Sequence, residues 1–344
     1  MTWQRFLVTF WAAAILVGAA LLAFVVIVDP YDTGRFTPLH AYGMPQNAPR
    51  LVVASLARNP ALDGAIVGNS TIQMLAPRRL DALTGEKLAQ LSVPGVGPVE
   101  EIAILAWFRR EHPAPKTIVV GLDYGSWCGR GFVLSRAHIL NPFPFWLFGS
   151  NADYLAKILS FRTIGDSFAR INMWRGKAQP VNPLRVDDYD LGRTFDLAVV
   201  RARLVNAEQM ADHAEAPIMD ANNGAPPGAA LDFLQTALER FPPTTHKILV
   251  FTPAFAGTMP RSGEWADNIA ICKRRGKAIV ASLPNTTLID FLRKAPMTED
   301  DANFWDGIHY RRPVAEAIER VIAVVLAGHD PQHDVDAALT MTSR

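Results

Sequence analysis

Two short stretches carry residue types that could do nucleophilic chemistry together. The first is Gly68-Asn69-Ser70-Thr71, directly after the apolar run Ala65-Ile66-Val67. An apolar run ending in glycine and small polar residues reads as a buried strand entering a tight turn. A serine there sits at a strand's carboxyl end, the edge at which open α/β sheets bind ligands. Backbone N–H groups opening a following helix can stabilise negative charge at that edge. On its own, Ser70 also fits a plain helix cap. The second stretch is Phe304-Trp305-Asp306-Gly307-Ile308-His309-Tyr310. Asp306 and His309 are three residues apart, close enough in a turn for the carboxylate to orient the imidazole. A serine nucleophile needs such a base, and the base needs an orienting acid.

Positioning these residues takes a sheet. Apolar runs at Gly64 to Gly68, Lys87 to Val93, Thr117 to Leu122, Lys247 to Phe251 and Thr287 to Asp290 read as strands. Between them, Ile72 to Leu83, Pro98 to Glu111, Ala229 to Arg240, Trp265 to Leu283 and Val314 to Leu326 read as helices. This alternation predicts an α/β fold with a doubly wound, parallel, five-stranded sheet. The stretch from Cys128 to about Gly228 breaks the pattern and reads as a mostly helical insertion. Its aromatic run Phe143 to Phe148 suits either core packing, a lipid surface or a substrate groove. Its acidic turn Asp187-Asp188-Tyr189-Asp190 reads as a solvated loop. The tail after Gly328 is polar and reads as frayed.

Net charge is +1, and no basic stripe marks a nucleic-acid partner. The histidines and cysteines form no ligand-spaced cluster, so neither a metal nor another cofactor is expected. Cys128 and Cys272 are the only cysteines, and their spacing does not reveal whether they pair. The clearest physical signal is N-terminal. Phe6 to Val28 carries no charged residue. As a helix it would run about 34 Å, against a hydrocarbon core of roughly 30 Å. It exceeds the apolar region of an ordinary signal peptide, so an uncleaved anchor is expected. Arg5 precedes it, while Asp29 and Asp32 follow. That places the N-terminus in the cytoplasm and the remainder outside, in the periplasm. The expected organisation is therefore a stub at 1–5, an anchor at 6–28, a linker at 29–50, the sheet domain at 51–328 and a tail at 329–344.

Strand-turn-serine early, with Asp-x-x-His just before a final helix, resembles the SGNH/GDSL hydrolase superfamily, whose sheet is flavodoxin-like. The nucleophile elbow of the α/β-hydrolases is excluded, because Ile72 stands where that motif needs glycine. The resemblance implies that Ser70 attacks an ester carbonyl, His309 takes its proton and Asp306 holds His309. It also implies an oxyanion hole made by the Ser70 N–H, a glycine N–H after the second strand and an asparagine side chain after the third. Gly95 or Gly97 fits the second role, and Gly95 lies closer to the strand. Asp123 stands in the asparagine's place, and an ionised carboxylate cannot donate to an oxyanion. Either Asp123 is protonated, or Asn69 or Tyr124 takes its role, or the site is impaired. A protonated Asp123 would make Asp123→Asn neutral or favourable for turnover.

An N-terminal anchor with a degenerate third motif resembles the membrane-tethered branch of this superfamily. That branch includes proteins for O-acetylation of exported polysaccharides and for D-alanyl transfer to teichoic acids. The resemblance implies a serine O-acyltransferase or acyl esterase working on a glycan beside a multi-spanning acyltransferase. A non-catalytic assembly subunit and a lipid-directed esterase are the alternatives.

Overall fold

The computed structural model describes residues 2–36, 43–44, 48–129, 142–180, 194–212 and 225–342. The acidic turn at Asp187 to Asp190 lies outside them. The chain divides into two compact units: Met1–Asn59 with Pro144–Pro183, and Pro60–Phe143 with Leu184–Arg344.

The second unit is built on a five-stranded parallel sheet of β1 (Gly64–Val67), β2 (Leu88–Gln90), β3 (Thr117–Leu122), β4 (His246–Phe251) and β5 (Thr286–Asp290). The strand order is β2-β1-β3-β4-β5. The α/β class and the parallel sheet are those expected from the alternation of elements. Every residue of β1, β2 and β3 is buried, as sheets covered on both faces require. Alternate residues serve opposite layers. Ile66, Val119, Ile248, Val250 and Ile289 join Ile318, Val321 and Ile322 of the Arg312–Leu326 helix in one core. On the other face, Phe251 lies against Gly276 of the Gly263–Ser282 helix, where an added Cβ would come within 3.3 Å of its ring.

Two local expectations are corrected. The helix expected from Ile72 begins only at Pro77, because Ser70 to Met74 is a run of turns. Proline disfavours helical backbone at the residue before it, so Ala76 is extended (φ −96°, ψ 117°) and Pro77 opens the helix. The tail is not frayed: Gln332–Leu339 is a helix. Its Val335 and Leu339, four residues apart, enter the core that holds Ile318 and Val325. Two buried apolar residues on an otherwise polar segment are too narrow a stripe to read from composition.

In the first unit, helix Trp3–Val28 is long and apolar enough to cross a membrane, with a mean hydropathy of 2.8 over its most apolar stretch. It is joined by helices Pro49–Leu56, Phe145–Phe148, Asn151–Ile158 and Phe161–Trp174. At the start of the segment expected as a linker, Asp29 and Asp32 form a buried polar hub. Asp32 accepts hydrogen bonds from the Gly43 N–H (2.8 Å), Ser55 Oγ (2.7 Å), Arg58 Nη1 (2.6 Å) and Arg170 Nη2 (2.9 Å). Asp29 accepts from Thr33 Oγ1 (2.9 Å) and the Gly34 N–H (2.6 Å). Within the segment expected as one insertion, Pro144 to Pro183 thus belongs with the N-terminal residues. The aromatic run packs as core: Leu147 is buried, and the Trp146 ring sits 5.6 Å from that of Tyr31.

The docked tail helix has a measurable consequence. Leu339→Ala is expected to destabilise the protein by about 2–5 kcal/mol, read as a fall in the chemical-denaturation midpoint. A change below about 0.5 kcal/mol, the range of ordinary surface substitutions, would show that the tail contributes no core.

Candidate active site

The site lies beyond the carboxyl ends of β1, β3 and β4. Gly68 ends β1 with φ 155°, and Ile72 folds back over it. A Cβ at Gly68 would come within 2.7 Å of Ile72 Cγ2, and one at Gly121 within 2.7 Å of Ile72 Cβ. Glycines at these two neighbouring strand ends let the serine turn close down on the sheet. Ile72 therefore has a packing role in the position where a nucleophile elbow would carry glycine.

The second stretch is a small clamped loop. Phe304 and Tyr310 form an antiparallel bridge, and both rings are buried. Between them, Asp306 Oδ1 accepts from the N–H groups of Ile308 and His309, each at 2.9 Å. The Gly307 carbonyl accepts from the Phe255 N–H (2.9 Å) and from Thr258 Oγ1 (3.0 Å). The carboxylate is thus fixed by its own loop before it touches the imidazole.

The three separated residues meet. His309 Nε2 lies 2.8 Å from Ser70 Oγ. His309 Nδ1 lies 2.8 Å from Asp306 Oδ2 and 3.0 Å from Oδ1. A carboxylate at Nδ1 selects the tautomer with its proton there, which leaves Nε2 free to accept the serine proton. Desolvation pushes the Asp306 pKa up. The hydrogen bond and charge of His309 and the two loop N–H groups outweigh it and hold Asp306 below the ordinary carboxylate value. Asp306 is therefore held toward its ionised form beside the imidazole.

The expected oxyanion donors divide. The Ser70 N–H and the Gly95 N–H have no protein acceptor among the described residues. The Gly97 N–H is occupied, donating to Glu100 Oε2 at 3.1 Å. Of the two glycines, only Gly95, at φ 68°, keeps a free N–H. Tyr124 is engaged elsewhere, its hydroxyl donating to the Thr258 carbonyl at 3.3 Å.

Asp123 does not act as a donor. It caps the turn Tyr124–Trp127, with Oδ1 accepting from the Ser126 N–H at 2.9 Å. Its Oδ2 accepts from Ser126 Oγ and, at 2.6 Å, from Asn69 Nδ2. Desolvation raises the Asp123 pKa above the ordinary carboxylate value, and the bonds from Ser126, Asn69 and Gly125 offset only part of the rise. With both oxygens engaged in this way, Asp123 organises its neighbours. It grips one N–H of Asn69, whose Oδ1 accepts from Thr71 N (3.0 Å) and Thr71 Oγ1 (2.9 Å). Thr252 Oγ1 at the end of β4 donates to Thr71 Oγ1 at 3.1 Å. The Asn69 amide is held at both ends, and one of its N–H groups lies outside these bonds. Ser126, Thr71 and Thr252 carry no sequence signal beyond the Asp-x-x-Ser capping pattern.

Behind Asp123 lies Glu101, fully buried in the Pro98–Glu111 helix. Its Oε2 accepts from Trp127 Nε1 at 3.1 Å, and its Oε1 has no partner. Desolvation first, then the charge of Asp123, push its pKa well above the ordinary value. With one donor against Asp123's several, Glu101 is the carboxyl of the two pushed further up.

Among the described residues, no group of His, Cys, Asp and Glu side chains is arranged to hold a metal. Cys128, after β3, and Cys272, in the Gly263–Ser282 helix, form a disulfide with Cα atoms 5.1 Å apart. No protein-family model matches the chain, and no curated protein matches it.

A raised carboxyl pKa in the folded state stabilises fully below the unfolded pKa, and the gain is lost as pH rises through the folded value. Wild-type stability should therefore fall as pH rises above about 4.3, the ordinary glutamate value. Glu101→Gln should flatten that fall, gaining on wild type with increasing pH. Parallel denaturation midpoints across this range would show that Glu101 ionises freely.

Proposed function

We propose that the protein is a membrane-anchored, SGNH-type serine acyl esterase or O-acyltransferase acting on an exported glycan. The observation that carries the reading is the unbroken hydrogen-bond chain from Ser70 Oγ through His309 to Asp306. Its parts do what acyl transfer needs. Ser70 Oγ attacks the ester carbonyl as its proton passes to His309 Nε2. The free N–H groups of Ser70 and Gly95, with the remaining N–H of Asn69, stabilise the oxyanion. His309 then returns the proton to the leaving alcohol, leaving an acyl-serine. A sugar hydroxyl or water, deprotonated by His309, releases the acyl group.

Three features support the family and the compartment. The serine follows β1, the Asp-x-x-His loop directly precedes the last sheet-packing helix, and the strand order is that of doubly wound sheets. The N-terminal helix supplies an anchor. The Cys128–Cys272 disulfide suits an oxidising compartment such as the periplasm. In this reading the acyl group comes from a multi-spanning acyltransferase partner. A second reading, a non-catalytic assembly subunit of the same fold, is favoured by one observation: Asp123 offers no donor where the superfamily uses asparagine.

Hydrolysis of a small acetyl ester by the full chain in detergent tests the enzyme. Ser70→Ala should reduce turnover by about 1,000-fold or more, to background. Asp123→Asn should also lower it, by about 10- to 100-fold. The new NH₂ group would face donors from Ser126 and Asn69, with kcat falling more than KM. Wild type no faster than Ser70→Ala would remove the esterase and leave the partner-dependent transferase or the assembly subunit. A reporter fused after Arg344 should be active only outside the cytoplasm; activity of a cytoplasm-specific reporter would end the glycan assignment.

A further inference from the structure

Helix Phe161–Trp174 is built inside out. A helix on a water-soluble surface buries its apolar side and exposes its polar one. Here Thr163, Asp166, Ser167 and Arg170 face inward, with Met173 the one apolar residue beside them. The inward polar groups bond to one another and to the N-terminal residues. Tyr31 Oη lies 3.3 Å from Thr163 Oγ1 and donates to Asp166 Oδ2 at 2.9 Å. Ser167 Oγ donates to the Thr163 carbonyl at 2.8 Å, and Arg170, with no exposed surface, reaches Asp32 at 2.9 Å. The outward side carries Phe161 at 96% exposure and Phe168 at 57%, flanked by half-buried Ile164 and Ile171. Leu155 and Leu159, just upstream, are exposed as well.

This face is continuous with the N-terminal helix. The Phe168 ring lies 5.4 Å from that of Phe24. Val25 and Val28 are the residues of the N-terminal helix that become buried. At 26 residues, that helix runs about 39 Å and outreaches a hydrocarbon core of roughly 30 Å. Phe161–Trp174 packs against its last turns, the end that leads into the polar residues Asp29 and Asp32. The inverted helix therefore sits at the depth where acyl chains give way to headgroups. Lys157, Arg162, Arg175 and Lys177 are all exposed around it, where anionic headgroups would meet them.

We infer that Phe161–Trp174 is an interfacial membrane helix, its Phe161, Ile164 and Phe168 side seated in the outer acyl-headgroup boundary beside the N-terminal span. The occupant of this face is lipid. The protein then touches the bilayer through two helices, and the Asp29–Asp32 hub is the polar filling between them and the rest of its unit. The inference rests on the N-terminal helix spanning the membrane.

Lipid photocrosslinking on the unmutated full chain tests it. The protein is placed in nanodiscs of phosphatidylethanolamine and phosphatidylglycerol containing a diazirine-tagged phosphatidylglycerol. Crosslinked peptides should map to Leu159–Trp174 as well as to Trp3–Val28. Crosslinks confined to Trp3–Val28 would overturn the interfacial helix and keep the anchor, assigning the apolar face to a second copy or another protein. Crosslinks in neither segment would overturn both. Nitroxide labels at Phe161→Cys and Phe168→Cys give a second reading. Their collision rates with oxygen against a water-soluble nickel complex should resemble those of Leu16→Cys, in the apolar helix. Rates matching Leu83→Cys, on the exposed side of the Pro77–Thr84 helix, would overturn the proposal.

Discussion

The site depends on one constraint: a strand buried on both faces holds apolar residues until the end that meets the ligand edge. β1 is apolar throughout, and β3 is apolar from Ile118 to Leu122. The first residues free to be polar are Asn69 and Ser70 after β1, and Asp123 after β3. Because β1 and β3 are hydrogen-bonded neighbours, those two ends emerge side by side, and Asn69 finds Asp123 at once. The serine turn is narrow because Gly68 and Gly121 leave room for Ile72. Everything polar at this edge follows from where the apolar strands stop.

The carboxyl groups around that edge are separated by their partners. Asp306 receives two backbone N–H groups and an imidazole and is kept ionised. Asp123 receives several donors and organises Asn69. Glu101, with one indole donor, is pushed well above the ordinary glutamate value. Burial acts on all three in the same direction, so the donors decide how far each one shifts. A network of this kind is stable only when each buried acceptor has a donor or a proton.

The other unit solves the reverse problem. Asp29 and Asp32 close a strongly apolar helix and would ordinarily be solvated. Here they are almost fully buried and take their hydrogen bonds from Thr33, Gly34, Ser55, Arg58 and Arg170. Breaking such a set leaves an uncompensated buried charge, which costs more than the set itself contributes.

The local pattern alone determined a good deal. The apolar runs and their turn residues located all five strands, because strand burial and glycine punctuation are nearest-neighbour properties. The Gly-Asn-Ser turn and the Asp-x-x-His loop were legible because each depends on residues within a few positions of one another. The uncharged N-terminal run was legible for the same reason. Tertiary structure decided what spacing cannot carry. It brought Cys128 to Cys272, set Asp123 against Asn69 rather than an oxyanion, and buried Asp29 and Asp32 at the start of the expected linker. It also ended the helix reading at Ile72, where side-chain bonds from Asn69 and the backbone limits before Pro77 outweigh helical propensity. In each case the deciding partner is remote in sequence or set by packing, and an acceptor's role is defined only by the donors that surround it.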